Sequence, residues 1–322
     1  MKTIGVLTSG GDCPGMNACV RAVVRCATMR GMKVYGINRG YQGMLEGDMQ
    51  LFDPIAVSGL MGNGGTILRT ARCIDFKYPE GRKKAAEKLR EVGIEGVIVC
   101  GGDGSFAGAK ALCEEQNIPC IGIPCTIDND LNYTDFTLGF DTAVNTAIDC
   151  IRNVVDTMTS HERVCIVEVM GRNCGDIALY SGIASGADGI IIPEKPCDLE
   201  TLAERIKNTR KMGKESNLIV LAEGCGHAHA YVAQFERLLP EYSVRGTNLG
   251  YLLRGGDPSM YDRVFASRAA IRAVELLEQG IGNRVVGVHN SQIIDLDIFE
   301  ALNMPRKDNS EMYSVFHQLV LG

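Results

Sequence analysis

None of the thirteen cysteines forms a Cys-x-x-Cys pair, their number is odd, and their spacing is irregular. That pattern argues against a disulfide framework or a zinc site and for buried reduced thiols, some of them (Cys100, Cys120, Cys165) inside apolar runs. No apolar stretch approaches the roughly 20 residues needed to span a bilayer. The N-terminus enters a short strand-like run at residues 3–8 with no signal-type apolar region before it. Long runs of Lys or Arg are also missing and the net charge is −6, which speaks against a nucleic-acid groove or a membrane-surface patch. An anionic ligand must then be held by local arginines. Low-complexity segments and linkers are absent, as are a Walker A loop and a complete Gly-x-Gly-x-x-Gly fingerprint. What remains is a soluble protein of a reducing compartment, the cytoplasm.

At 322 residues the chain can build one large or two medium domains, and 45% hydrophobic with 22% charged residues is ordinary globular composition. Short runs rich in Val and Ile occur at 4–7, 34–37, 97–100, 120–123, 164–169, 190–192, 218–221 and 285–288. Continuous rather than alternating hydrophobicity is what strands buried on both faces require. Between them lie helical patterns at 16–29, 82–92, 104–116, 142–158, 199–212 and 262–279. This alternation predicts a doubly wound α/β architecture, with a second α/β set beginning after about residue 139. Many of the 38 glycines fall at the ends of the apolar runs, where open parallel sheets bind ligands.

Three polar loops follow such runs. Thr8-Ser9-Gly10-Gly11-Asp12 precedes a helix start, where glycines admit a phosphate to backbone N–H groups. Taken alone, it is also an ordinary tight turn. In Gly101-Gly102-Asp103-Gly104-Ser105 the aspartate sits where a helix cap belongs. The three flanking glycines leave room for a phosphate chain beside a carboxylate able to hold hydrated Mg²⁺. In Thr126-Ile127-Asp128-Asn129-Asp130, alternation of an extended loop points Asp128 and Asp130 the same way. One such carboxylate can accept the proton of an attacking hydroxyl. Arg72, Arg163, Arg172, Arg245 and Arg254 lie in loops or at strand ends, and guanidinium forks suit phosphate oxygens. His227 and His229 read as exposed residues of a polar loop rather than as a metal pair.

Taken in order, Gly-Val-Leu-Thr-Ser-Gly-Gly-Asp (5–12), Gly-Gly-Asp-Gly-Ser (101–105), Thr-Ile-Asp-Asn-Asp (126–130), Glu-Val-Met-Gly-Arg (168–172) and Leu-Arg-Gly-Gly-Asp-Pro (253–258) resemble the ATP-dependent 6-phosphofructokinase family of bacterial type over nearly the whole chain. The resemblance implies two similar doubly wound three-layer α/β/α lobes with mostly parallel sheets. Residues 1–138 plus about 251–302 would bind the nucleotide, and 139–250 plus about 303–322 the sugar phosphate. It implies that ATP phosphorylates the 1-hydroxyl of fructose 6-phosphate with Mg²⁺, the committed step of glycolysis. Gly11, Tyr41, Arg72, Cys73, Gly102, Gly104, Ser105 and Gly108 match nucleotide contacts, and Asp103 the Mg²⁺ carboxylate. Asp128 matches the catalytic base with Asp130 beside it, while Thr126, Arg172 and Arg72 match groups around the transferred phosphoryl. Met170, Gly171, Glu223, Tyr251 and Arg254 match sugar-phosphate contacts. Arg163 and Arg245 match residues reaching in from a neighbouring subunit, which implies a homotetramer with shared sites.

Departures from the family pattern qualify the substrate. Pyrophosphate-using relatives carry Asp where this chain has Gly104, and Lys where it has Cys125, so the donor reads as ATP. Tyr251 replaces a usual histidine and cannot carry positive charge. Arg21, Arg25, Gly186, Asp188, Gly213 and Lys214 match effector contacts. Pro54, Gly59, Val155, Met212 and Ser216 stand where charged or histidine contacts are often found. Weak or absent activation by ADP and inhibition by phosphoenolpyruvate are therefore expected. The alternatives are a pyrophosphate-dependent enzyme, a kinase for another ketose phosphate such as tagatose 6-phosphate, and a non-catalytic nucleotide-sensing subunit. The last would show erosion of the base, the metal carboxylate or the arginines, all of which are intact. A dinucleotide-binding dehydrogenase lacks its fingerprint here.

Overall fold

A computed structural model describes residues 1–306 and 308–321. Strands and helices alternate as β1 (Thr3–Thr8), α1 (Met16–Met29), β2 (Lys33–Ile37), α2 (Tyr41–Glu46), β3 (Met49–Leu51), α3 (Pro79–Glu91), β4 (Gly96–Gly101), α4 (Asp103–Gln116), β5 (Cys120–Pro124) and α5 (Phe140–Ser160). They continue as β6 (Val164–Val169), α6 (Asp176–Ala184), β7 (Gly189–Ile191), α7 (Leu199–Lys211), β8 (Asn217–Ala222), α8 (Ala228–Leu238) and β9 (Val244–Asn248). The chain ends with α9 (Met260–Glu278), β10 (Arg284–His289), β11 (Gln292–Asp297), α10 (Ile298–Leu302) and α11 (Ser310–Leu319).

These elements form two compact units. The first comprises Met1–Ile127, Leu131–Thr142 and Arg254–Arg306; the second comprises Asp128–Asp130, Ala143–Leu253 and the C-terminal segment that carries α11. In the first unit the sheet order is β11-β10-β5-β4-β1-β2-β3. Its pairs are parallel except at the edges, where β3 and β11 run antiparallel to their neighbours. All six residues of β4 are buried, as their unbroken apolar run requires. In α1, Met16, Cys19, Val20, Val23 and Ala27 recur at helical spacing and are buried, and α1 packs on α9. Chain order reverses between β1 and β4: β2 and β3 continue to one side, β5 and β10 to the other. In such sheets the ligand crevice opens at the carboxyl ends of the two strands flanking the reversal. Those ends carry residues 9–12 and 101–105.

The second unit has a parallel sheet of order β7-β8-β6-β9. One face packs Ile166, Ile219 and Leu221 against Ala203, Ile206 and Phe235 of α7 and α8, and α6 packs against strands β6, β7 and β8. The carboxyl ends of the neighbours β6 and β8 carry residues 170–172 and 223. Among the described residues, no helix is long and apolar enough to cross a membrane.

Candidate active site

In the first unit, the loops after β1 and β4 are tied to each other. The Ser9 N–H donates to the Cys100 carbonyl at 2.9 Å, and Ser105 Oγ donates to Ser9 Oγ at 2.9 Å. A Cβ on Gly101 would lie 2.5 Å from Ser105 Oγ and 2.8 Å from the Ser9 carbonyl, so glycine is required for this approach. Gly102 and Gly104 are different: an added Cβ would meet nothing within 4 Å at either position. Their missing side chains leave open space on both sides of Asp103, an exposed carboxylate in the first turn of α4. The geometry fits a hydrated hard cation beside a phosphate chain, since Gly102 offers no capping side chain to the helix end.

Arg254 belongs to this unit. Its Nη2 donates to Asp12 Oδ1 at 2.5 Å and its Nε to the Asp12 carbonyl at 3.2 Å, and a Cβ on Gly11 would lie 2.9 Å from the guanidinium. Arg254, expected among the sugar-phosphate contacts, thus stands against the loop after β1. Arg72 is exposed and Cys73 half-buried, after a segment pinned from β1 and α1. Buried Asn17 donates to the Asn63 and Gly64 carbonyls and accepts from the Ile67 N–H, while Thr8 Oγ1 donates to the Arg69 carbonyl. Tyr41 is buried: it stacks on Phe76 at 4.0 Å, donates to the Ser105 carbonyl at 2.5 Å and covers Gly108. Its place is behind the loop, where it fixes the start of α4.

The second set centres on Asp128, Asp130 and Arg172. Arg172 Nε lies 3.9 Å from Asp128 Oδ2, and Nη1 donates to Asp130 Oδ2 at 3.4 Å. The Asp128 side chain is 10% exposed and that of Arg172 70%, so the carboxylate is sheltered while the guanidinium stays open. Arg172 adopts a left-handed backbone with φ 53°, rare for a residue with a side chain. Glu223 holds it there, accepting the N–H groups of Arg172 at 2.7 Å and Gly171 at 3.1 Å. Thr126 precedes Asp128 in the chain, and its carbonyl accepts the Thr137 hydroxyl at 2.6 Å. Asn129, also left-handed, donates to Asp176 Oδ2 at 2.7 Å, and Asn309 donates to the other oxygen of Asp176. This lock on the aspartate loop was invisible in sequence, because its members are far apart in the chain.

Met170 is half-buried beside Gly171, and Tyr251 is 80% exposed. Arg163 and Arg245 stand apart from the rest of the set. They flank the first residues of β6 and β9, at the end of the sheet opposite Arg172 and Glu223. Six residues of β6 separate the two groups, roughly 20 Å along a strand.

In the effector set, Arg25 donates to Ser58 Oγ at 3.1 Å, and the buried Arg21 Nε has no hydrogen-bond partner. In the second unit Lys214 pairs with Asp188 at 2.5 Å, and Gly186 and Gly213 take left-handed turns with open space around them. His227 and His229 are both exposed; His227 lies just before α8 and contacts Glu168 Oε1 at 3.2 Å, while His229 is in the first turn of α8 rather than in a loop.

The sequence over residues 3–277 matches the Phosphofructokinase family model. The chain belongs to the phosphofructokinase family. It is 52% identical over 315 residues to an ATP-dependent 6-phosphofructokinase of Clostridium botulinum, covering 98% of each chain. It is 53% identical over 318 residues to one from Clostridioides difficile, again covering 98% of each. Among solved structures, phosphofructokinase from Saccharomyces cerevisiae superposes with a TM-score of 0.87 at 33% identity over 99% of this chain. The matched part is 47% of the yeast chain, so this protein spans about half its length. The α/β fold with mostly parallel sheets is that of phosphofructokinases.

Proposed function

We propose that the chain transfers the γ-phosphoryl group of ATP to the 1-hydroxyl of fructose 6-phosphate, giving fructose 1,6-bisphosphate and ADP as a step of cytoplasmic glycolysis. The observation that carries this reading is the sheltered Asp128 carboxylate 3.9 Å from an open arginine whose backbone is clamped by Glu223. Identity above 50% to ATP-dependent 6-phosphofructokinases over nearly full length supports it.

On this reading the first unit binds the donor and the second the acceptor. The open space at Gly102 and Gly104 admits the triphosphate, and backbone N–H groups of the loops after β1 and β4 approach its oxygens. Asp103 would hold Mg²⁺, which when bound neutralises charge on the β- and γ-oxygens. Asp128 takes the proton from the 1-hydroxyl as that oxygen attacks phosphorus, and Asp130 keeps Arg172 close. Arg172, Arg72 and the Thr126 hydroxyl stabilise the transferring oxygens, and Glu223, Met170 and Gly171 line the sugar side.

The place of Arg163 and Arg245 at the far end of the sheet supports a role at a site on another copy, in a homotetramer. The Lys214–Asp188 pair leaves little free charge for an anionic effector, in keeping with weak allosteric control.

The deciding assay supplies purified protein with Mg²⁺ and fructose 6-phosphate and compares ATP with pyrophosphate. Turnover with ATP and none with pyrophosphate is expected. The reverse would assign the pyrophosphate-dependent reaction, and better use of tagatose 6-phosphate would reassign the acceptor.

A further inference from the structure

Beneath the donor loops lies a group of side chains that phosphoryl transfer does not use. Cys19 of α1, Cys100 of β4 and Cys125, the residue after β5, place their sulfurs within 4.8 Å of one another, with Cys19 and Cys100 3.5 Å apart. Cys13 joins them through a hydrogen bond to Cys125. All four are at most 1% exposed, and none is in a disulfide. In sequence they are scattered, which is why spacing argued against a zinc site. The sheet brings them together because β1, β4 and β5 are adjacent and α1 packs over them.

We propose that Cys19, Cys100 and Cys125 form a three-thiolate site for one soft divalent d¹⁰ cation, Zn²⁺ or its surrogate Cd²⁺, with the neighbouring Cys13 thiol available as a fourth donor. Sulfur selects this class over Mg²⁺, whose ligands are oxygens. Tetrahedral Zn–S bonds of about 2.3 Å set the sulfurs about 3.8 Å apart, so the spacing of Cys19, Cys100 and Cys125 needs an adjustment of at most about 1 Å. Charge favours a divalent ion: three thiolates leave −1 around it and −2 around a monovalent one, and buried net charge is costly. Each ligating thiol loses its proton to solvent as the metal–sulfur bond forms, so binding strengthens with pH. With no solvent-accessible face, entry requires local opening, so binding is slow. The bound ion ties α1 to the ends of β4 and β5, from which residues 101–105 and 126–130 emerge.

The test adds Cd²⁺ to reduced, chelator-treated full-length protein and follows sulfur-to-cadmium charge-transfer absorbance. One equivalent per chain is expected, with three or four sulfurs and no nitrogen by X-ray absorption. Cd²⁺ should displace bound Zn²⁺, and Zn²⁺ alone should raise the melting temperature of the wild-type protein. Cys100→Ser and Cys125→Ser should each weaken binding by about 100-fold or more, whereas Cys165→Ser, buried in the second unit, should leave it unchanged. The melting shift of the wild-type chain decides the matter if both serine variants fold poorly. Absence of a stoichiometric band, equal affinity in the cluster variants, or a disulfide among the four cysteines with no Cd²⁺ uptake after reduction would each overturn the proposal.

Discussion

Glu223 and Arg172 are joined through the backbone rather than through their charges, the carboxylate accepting the Arg172 N–H at 2.7 Å. The guanidinium is thereby left to Asp128 and Asp130. The contact also holds a left-handed turn that an arginine would not adopt unaided.

On the proposed reading, Glu223 then acts by positioning Arg172 as well as by lining the sugar side. Glu223→Gln retains an acceptor oxygen and should lose less than about tenfold in kcat/KM. Glu223→Ala releases both N–H groups and should lose about 100-fold, the scale of a 1 Å misplacement at a reacting centre. Steady-state kinetics of the two variants check this, and equal losses would contradict it.

Gly104→Asp tests the donor space. With nothing within 4 Å of an added Cβ, the fold should tolerate the change within about 0.5 kcal/mol. The new carboxylate repels the nucleotide, so KM for ATP should rise about tenfold or more, equivalent to about 1.4 kcal/mol. An unchanged KM would place ATP elsewhere.

Asp262, at the start of α9, accepts from the Gly139 N–H, the Thr142 N–H and the Thr142 hydroxyl, anchoring the first turn of α5. Burial outweighs these bonds and raises its pKa to about 6. The native state therefore holds this proton where the unfolded chain has released it. The group's contribution to stability is fully present below about pH 4 and is lost as pH rises to about 6. Asp262→Asn should flatten the pH dependence of unfolding in that window. Asp262→Ala should cost about 1.5–3 kcal/mol for the lost charged hydrogen bonds. Denaturant melts from pH 4 to 8 provide the comparison.

Effector control should be slight. Saturating ADP or phosphoenolpyruvate should shift the half-saturating fructose 6-phosphate concentration by less than about fivefold, the lower edge of ordinary allosteric coupling. Initial-rate curves with and without each effector measure it, and a strong sigmoidal response would refute it.

Much of the fold was legible because its central strands are buried on both faces. The expected run at 164–169 is β6, and the amphipathic stretch at 16–29 is α1. What escaped notice lacks that signature. Strand β9 reads Val-Arg-Gly-Thr-Asn and lies mostly exposed at a sheet edge, while β3 and β11 are antiparallel edges. In α6 apolar residues occur almost all round, so no helical period stands out, and the start of α8 was masked by His227 before it and His229 within it. At the candidate site the glycines and aspartates announced themselves through loop position. The residues that hold them, Asn17, Asp176 and Asn309, gave no signal, because each acts through partners 45 or more positions away in the chain. The thiol cluster was hidden for the same reason.

The central claim is that Asp128 removes the proton from the acceptor hydroxyl, and kcat of Asp128→Ser with Mg²⁺, ATP and fructose 6-phosphate tests it most directly. The account predicts a fall of roughly 10²–10⁴-fold with much smaller changes in KM for the sugar. Turnover close to that of the wild-type protein would contradict it.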